Sequence, residues 1–408
     1  MINTGDTAFV LAAAGLVLLM TPGLALFYGG MVRSKNVLGT FMQSLIMISV
    51  ISIEWVLVGY SMSFGPDVGG FLCNFSWFAL NSVGSAPSHT YATTIPQNVF
   101  MIYQCMFAVI TPALITGAIA ERIRFSSFIV FSLLWTILVY NPVCHWIWGA
   151  GGWLAAKGVL DFAGGLVVHL TSGAAALAAV LVMGPRYGYG KRNFAPHNLP
   201  MTVIGTGLLW FGWFGFNGGS ALAANGIAAT AFISTHLAGM TGMAMWVIME
   251  WLQHGGKPTT LGAASGGVAG LATVTPAAGF VGPISAMIIG LIAGFACYSA
   301  VNLKEKIGLD DSLDVVGIHG VGGLIGTICL GIFASKAVNP GGANGLLSGN
   351  PAFLGTQIFG VLVVGVYAFV VSWILLKIIN IVMGLRLDKE AEISGLDQSQ
   401  HNETAYNN

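Results

Sequence analysis

Two histidines lie inside long apolar segments of the sequence. His169 stands in LVVHLTSGAAALAAVL, and His319 stands in VVGIHGVGGLIGTICL. An imidazole titrates near neutral pH, and hydrocarbon surroundings offer it no water, so such a residue marks a candidate functional site. The two histidines are about 150 positions apart in segments of similar texture. We therefore predict a paired site at the interface of two related halves.

The composition places these histidines in a membrane. Of the 408 residues, 55% are hydrophobic and only 7% are charged, against roughly 25% in soluble domains. The mean hydropathy is +0.81, and the chain contains 57 glycines. A chain this apolar cannot cover its surface with polar groups, so we predict an integral membrane protein embedded in a lipid bilayer, with no nucleic-acid partner.

The apolar segments predict the fold class. A membrane-spanning helix needs about 20 largely apolar residues, and the short alternating strands of a β-barrel are absent. We therefore predict an all-α membrane protein with eleven transmembrane helices. The predicted spans are 8–31, 40–64, 97–118, 126–148, 164–184, 200–217, 228–252, 261–279, 282–302, 315–334 and 354–385.

The basic residues predict the orientation of these spans. Twelve of the 15 lysines and arginines fall in alternate connections on one side. Cytoplasmic loops carry such an excess, so we expect the amino terminus outside and the carboxyl terminus in the cytoplasm. The twelve are Arg33, Lys35, Arg122, Arg124, Arg186, Lys191, Arg192, Lys257, Lys304, Lys306, Arg386 and Lys389.

The number of spans suggests an internal repeat. Five spans plus five of opposite topology, at about 8–184 and 200–334, would form an inverted repeat, with a peripheral eleventh helix at 354–385. Such repeats place the substrate route at their interface. The first domain would then be a transmembrane unit at 1–385, followed by a polar cytoplasmic tail at 386–408. His169 and His319 fall on the last helix of each half.

Each histidine has an acidic residue upstream. Asp161 lies eight positions before His169, and Asp314 lies five before His319. An acid suits the amino terminus of a helix, where it accepts hydrogen bonds from free N–H groups, and we expect both to cap. For Asp161 a second role stays open, as a carboxylate that favours a cation in the pore without touching it. His236, in the seventh span, is the best rival for an intramembrane role.

Aromatic side chains form a second group near the outer helix ends. Two interpretations stay open, an interfacial belt or a cage whose ring faces attract a cation and whose stacked rings close a pore. The residues are Phe107, Trp148, Trp213, Phe214 and Phe216, with Ser220 following them.

Seven motifs, in order along the chain, resemble the ammonium transporter family. DFAGG with the following histidine and GWFGFNGGS are highly specific together, because generic hydrophobicity does not produce them. The resemblance covers essentially the whole chain and indicates the bacterial or archaeal branch of the family. The motifs are GLALFYGGMVRSKN, AERIRF, LDFAGGLVVH, PHNLP, GWFGFNGGS, DVVGIHGVGG and the tail segments ISGLDQ and HNETAY.

The resemblance implies a route for ammonium at the outer face. It implies a homotrimer in which each subunit has its own narrow pore. Phe107, Trp148 and Ser220 correspond to the ammonium-binding vestibule of the family. Phe107 and Phe216 correspond to a stacked phenyl gate beneath it.

The resemblance also assigns the pore. His169 and His319 correspond to twin histidines that share a hydrogen bond, Trp213 to a pore-lining neighbour, and Asp161 to a buried acid that supports cation recruitment. Ammonium can lose a proton, and neutral ammonia crosses a dry pore at far lower cost than a cation. Recruitment, deprotonation, passage of ammonia and a separate proton relay would exclude potassium and make uptake electrogenic.

Regulation and localisation follow from the same resemblance. The tail corresponds to a segment that a PII-type signalling trimer contacts at the cytoplasmic face, and we expect a multi-pass protein of the inner (plasma) membrane. Two alternatives stay open, a sensor that binds ammonium without net transport and a Rhesus-type channel for neutral gas. The five cysteines show no metal spacing, so we expect no cofactor and no enzyme. Glu54, inside the second span, has no assigned role.

Overall fold

The computed structural model describes residues 1–253 and 255–406. In this part of the chain, ten helices are long and apolar enough to cross a membrane. His254 and the last two residues of the tail lie outside the described residues. The ten helices are Thr4–Met31, Ser34–Phe64, Gln97–Ile119, Phe125–Ala156, Gly165–Met183, Leu199–Gly218, Gly226–Gln253, Pro283–Lys306, Val316–Phe333 and Pro351–Met383.

A shorter apolar helix occupies the eighth predicted span. It runs over Thr260–Val274, 15 residues, whereas the sequence predicts 261–279. The helix ends early because Pro276 has no backbone N–H to continue the helical hydrogen bonds, and its ring would clash with the carbonyl group four residues earlier. The chain then continues through buried turns over 275–281. We number the eleven helices α1 to α11 in chain order, with Thr260–Val274 as α8.

The connection between α2 and α3 contains β structure that the all-α prediction does not include. Two antiparallel hairpins form there, each of two short strands. Short strands at the end of a helical bundle do not alter its class. The strands are β1 Asp67–Val68, β2 Leu72–Cys73, β3 Pro87–Ser88 and β4 Ala92–Pro96.

The packing places α3 and α8 at the centre of the molecule. Nearly every residue of both helices is buried. Around them, α1 packs along α6, α7 packs along α8 and α9, and α11 packs against α5 and α10. The α7–α8 contact requires glycine, since a Cβ on Gly270 would lie 2.2 Å from the carbonyl oxygen of Ala238. This agrees with the expectation that small residues let helices approach closely in a membrane.

Five of the spanning helices contain a π-helical turn, in which the hydrogen bonds reach one residue further than in an α-helix. Such turns are rare and frequently occur at functional sites. They change the direction in which the following side chains point. The turns are Trp55–Gly59, Thr136–Tyr140, Gly165–Leu170, Phe214–Gly218 and Val316–Gly320.

Candidate functional site

The two histidines meet in the middle of the molecule. His169 lies in the π-helical turn of α5 and His319 in that of α10. Their Nδ1 atoms are 3.2 Å apart, and both side chains are buried. One ring must donate from Nδ1 while the other accepts through its lone pair, because two protonated or two bare nitrogens cannot bond. The pair therefore shares one proton between its Nδ1 atoms, and either ring can be the donor.

Glycine contacts between α5 and α10 allow this pairing. A Cβ on Gly173 would lie 2.1 Å from the Cα of Gly320, and a Cβ on Gly323 would lie 2.5 Å from the carbonyl oxygen of Gly165. Real Cβ atoms do not approach backbone this closely. The two helices thus cross where Gly173, one turn beyond His169, meets Gly320, and a side chain at position 173 would not fit there.

The space around the histidine pair is narrow and apolar. Trp213 stacks on His169 with ring centroids 5.5 Å apart, and Phe216 lies 6.1 Å from the same ring. The free volume is about 10 Å³, close to the smallest space that holds one water-sized molecule. His169 Nε2 is buried and has no hydrogen-bond partner among the described residues. The imidazole edge therefore faces a passage that fits one small neutral molecule.

Two phenyl rings close this passage at one end. The centroids of Phe107 and Phe216 are 4.2 Å apart, with 35° between the ring planes. Both side chains are about 1% exposed. A molecule passing toward His169 must therefore displace at least one of these rings.

Beyond the phenyl rings lies a cavity of about 360 Å³, which we call the vestibule. Trp148 stands edge-on to Phe107 at 6.0 Å, and its indole N–H donates to the carbonyl oxygen of Asp161 at 2.8 Å. Ser220 Oγ donates to the carbonyl oxygen of Phe216 at 2.8 Å and lies 3.2 Å from the Tyr103 hydroxyl, which leaves it at least one lone pair to accept. Aromatic faces and a free hydroxyl acceptor suit a small cation. The structure thus brings together Phe107, Trp148 and Ser220.

Two residues beside the gate and the vestibule were not identified from the sequence. Tyr103, one turn before Phe107 on α3, reaches the carbonyl oxygens of Gly215 and Phe216 at 3.0 and 2.9 Å. Gln104 lines the vestibule, and its Oε1 is buried without a hydrogen-bond partner among the described residues. The available signal was Gln104 itself, a polar residue three positions before Phe107 in an apolar segment.

Asp161 caps the helix that carries His169. Its two carboxylate oxygens accept four backbone N–H groups, those of Gly164, Gly165, Leu166 and Val167, at 2.7–3.1 Å. The capping expectation for Asp161 agrees with this geometry. Because both oxygens are occupied, Asp161 can act on a cation only through its charge or its carbonyl oxygen.

The corresponding acid of the second half is Asp311, and the prediction that Asp314 caps α10 is wrong. Asp311 accepts the N–H groups of Val315 and Val316 at 3.1 and 2.8 Å. The Asp314 carboxylate instead pairs with Lys304. Asp311 stands eight positions before His319, the same spacing as Asp161 before His169.

Two other candidates lie away from the passage. The ring of Phe214 stacks on Phe232 with centroids 3.9 Å apart. His236 lies on the exposed surface of α7, where it contacts Trp210 and Phe214. The structure therefore does not join His236 to the histidine pair.

Charged residues cluster at the face where the tail lies, which we call the tail face. Asp310 pairs with Arg122 at 2.9 Å and with Arg186 at 2.7 Å, and Glu121 pairs with Arg33 at 2.8 Å. Burial raises the pKa of Asp310, but hydrogen bonds from Arg186 and the charge of Arg122 outweigh it, so that pKa lies below its usual value. The pKa of Glu121 is likewise lowered, because Arg186 and Arg33 outweigh the effect of burial.

The tail docks on this face by capping α2. Asp397 accepts the N–H of Gly39 at 2.8 Å, and Asn36 accepts the N–H of Leu396 at 2.8 Å. The Asp397 carboxylate therefore accepts a hydrogen bond from a free N–H near the amino-terminal end of α2, 358 positions earlier in the chain. Glu392, in the short tail helix α12 (Lys389–Ser394), adds an ion pair with Arg386 at 2.8 Å.

Known proteins resemble the chain over almost its whole length. The profile of the Ammonium Transporter Family matches residues 8–406. An ammonium transporter of Bacillus subtilis is 49% identical over 403 residues, which cover 98% of both chains.

Solved structures share the fold. The crystal structure of Mep2 from Saccharomyces cerevisiae superposes with a TM-score of 0.89 at 37% identity, covering 95% of this chain and 91% of that one. The structure of a protein named Sensor Amt Protein superposes with a TM-score of 0.88 at 30% identity, covering 97% and 98%. These likenesses extend from the amino-terminal helix to the tail.

Proposed function

Since the chain belongs to the ammonium transporter family, we propose that this multi-pass membrane protein takes up ammonium through a pore within each subunit. One observation carries the proposal: the vestibule, the Phe107–Phe216 gate and the His169–His319 pair follow one another along a single line of contacts. The order matches what a cation must meet if it is recruited, desolvated and then deprotonated.

Recruitment takes place in the vestibule. The faces of Trp148 and Phe107 attract a cation, and the Ser220 lone pairs replace one hydrogen bond to water. The Gln104 side-chain oxygen has no partner in the described part of the chain and can accept a second N–H. Together these groups offset part of the lost hydration of ammonium.

Ammonia and the proton separate below the gate. An apolar passage of about 10 Å³ disfavours any cation, so potassium, which cannot lose a proton, is excluded. Ammonia crosses past His169 and His319 while the histidine pair, hydrogen-bonded through Nδ1, relays the proton. The net movement is then electrogenic uptake. Asp161 supports recruitment by its negative charge near the vestibule.

The proposed topology has eleven spans, formed by two inverted halves of five and a peripheral α11. Two features support it: α3 and α8, the third helices of the two halves, are both central and buried, and Asp161 and Asp311 cap corresponding helices. The arginines of the tail face favour a cytoplasmic location for that face. The amino terminus would then lie outside the plasma membrane.

We further propose a homotrimer and a PII-type partner at the tail face. His236 lies about 15 Å along α7 from its first residue, near the middle of the bilayer, and is exposed on the isolated chain. An imidazole that faces lipid costs free energy. A second copy of the chain packed on α7 would cover His236, and this favours self-association. The tail is docked on the tail face through Asp397, where a signalling partner would contact it. This docking supports the PII-type partner.

A sensor is the second candidate, because the solved structure named Sensor Amt Protein shares the fold. Purified protein in liposomes on a solid-supported membrane separates the possibilities. We expect a sustained, saturable current on addition of ammonium. A brief binding transient alone would indicate a sensor, and no charge movement would indicate a neutral gas channel.

The histidine relay needs its own test. We expect the current to disappear when His169 and His319 are both replaced by leucine, with the binding transient retained. A current that persists unchanged in this double variant would refute the relay while leaving ammonium transport in place.

A further inference from the structure

Glu54 is a buried acid that the proposed route does not use. Its side chain is 3% exposed in the interior of α2. Oε1 accepts a hydrogen bond from Asn141 Nδ2 of α4 at 2.8 Å. Oε2 is buried and has no hydrogen-bond partner among the described residues, and it rests on Gly59, where a Cβ would lie 2.6 Å away.

The surroundings of Glu54 favour the neutral acid. The titratable groups that face it are the Cys105 thiol of α3 and the Tyr140 hydroxyl of α4. Among the described residues, no positively charged side chain pairs with Glu54. An ionised carboxylate without a counter-charge is costly in a bilayer. The neutral acid keeps the bond from Asn141 and leaves only its O–H without a partner among the described residues, which costs less than a buried charge.

The Glu54–Asn141 bond joins two irregular points of the helices. Glu54 directly precedes the π-helical turn Trp55–Gly59 of α2, and Asn141 directly follows the turn Thr136–Tyr140 of α4. A π-helical turn shifts everything beyond it by part of a turn. The bond therefore sets the position of the two helix segments that continue toward the vestibule.

Those segments present vestibule side chains. Phe64 ends α2, and Trp148 lies seven positions beyond Asn141; both line the vestibule. Trp55, next to Glu54, contacts Phe64 edge-on at 6.2 Å and donates from its indole to the carbonyl oxygen of Met101 on α3 at 3.2 Å. The region around Glu54 thus ties together the three helices that bear Phe64, Phe107 and Trp148.

We propose that Glu54 is a positioning residue, a neutral carboxylic acid whose bond to Asn141 sets the aromatic side of the vestibule. The inference rests on the proposed function, since the vestibule must recruit ammonium for the position of Trp148 to matter. A glutamine at this position keeps both the acceptor and the neutral charge. A leucine removes the acceptor and leaves the Asn141 Nδ2 group with only a weak contact to Met62 Sδ at 3.9 Å.

Ammonium-evoked currents of Glu54→Gln and Glu54→Leu test the proposal. We expect Glu54→Gln to match the native protein in half-saturating concentration and maximal current. Glu54→Leu should raise the half-saturating concentration about tenfold, with a smaller change in maximal current. Ser372→Ala is the matched control: it removes the bond from Trp135 at 2.9 Å, a buried hydrogen bond of α4 far from the vestibule, and should leave the half-saturating concentration unchanged.

Infrared spectroscopy tests the protonation state without transport. The native protein at neutral pH should show a carboxylic-acid carbonyl band that Glu54→Gln lacks. Absence of that band, loss of function in Glu54→Gln, or a native half-saturating concentration in Glu54→Leu would each overturn the proposal. If the native protein itself gives no ammonium current, the proposed function fails, whereas the infrared result still decides the state of Glu54.

Discussion

The crossing of α5 and α10 makes a sharp prediction for Gly173→Ala. The new Cβ would lie 2.1 Å from the Cα of Gly320, while ordinary contact begins at 3.4 Å. Backbone cannot rotate away as a side chain can, so the helices must separate by roughly 1.3 Å. If the separation acts along the line between the rings, it lengthens the His169–His319 contact from 3.2 Å to about 4.5 Å, beyond hydrogen-bond range.

The protein should survive this change. Overpacking of this kind costs about 1–3 kcal/mol, and alanine recovers up to about 1 kcal/mol of helix propensity relative to glycine. The net loss is small for a protein with this much buried surface. We therefore expect a folded variant with a modestly lower unfolding temperature and a broken histidine pair.

Currents on a solid-supported membrane provide the assay. Gly173→Ala should lose the sustained ammonium current and keep the binding transient, because the vestibule lies on the other side of the Phe107–Phe216 gate. Gly207→Ala is the control, since a Cβ on Gly207 of α6 meets nothing within 4 Å. A native current in Gly173→Ala, or an equal loss in Gly207→Ala, would refute the reasoning.

Three further predictions follow from the site and the tail face. Ser220→Ala should raise the half-saturating ammonium concentration about tenfold, because a hydrogen bond to a charged group contributes roughly 1.5–3 kcal/mol; an unchanged value in current titrations would remove Ser220 from recruitment. Asp161→Asn should lower the unfolding temperature by the equivalent of about 2 kcal/mol, because an amide nitrogen cannot accept two of the four backbone N–H groups; unchanged thermal unfolding would contradict the capping role. Acid should loosen the tail face: the folded-state pKa values of Glu121 and Asp310 are lowered, so their stabilisation is complete above the unfolded values of about 4 and is lost as pH falls through the folded values. Thermal unfolding that stays constant across that pH range would count against it.

The sequence was sufficient to predict a helical multi-pass membrane protein and the family to which the chain belongs. Hydropathy is a local property, so the apolar segments could be located without knowledge of their neighbours, and the structure confirms a multi-pass membrane protein of the ammonium transporter family. The eighth span shows the limit of this approach: its apolar run continues to residue 279, but Pro276 ends the helix earlier. The hairpins at 67–96 were missed because strands of two to five residues carry little pattern.

Asp311 and Asp314 show that reasoning from the local sequence can fail even where the fold class is predicted correctly. Asp314 and Asp311 lie three positions apart, and either spacing permits a cap at the start of α10. Asp161 and Asp311 each lie eight residues before a histidine. This equal spacing identifies Asp311 as the cap only once α5 and α10 are known to be corresponding helices. Glu54 likewise stood out as a charge in an apolar segment, with no partner that the sequence could supply.

The sequence by itself determined that His169 and His319 stand in apolar segments and that the protein is embedded in a membrane. The reason is that the free-energy cost of placing a residue in lipid depends on its type alone. Only the tertiary structure decided that their Nδ1 atoms meet, that Glu54 bonds to Asn141, and that Asp397 of the tail caps α2. These contacts join residues 87–358 positions apart. They depend on how closely helices approach, and glycines such as Gly173 set that distance.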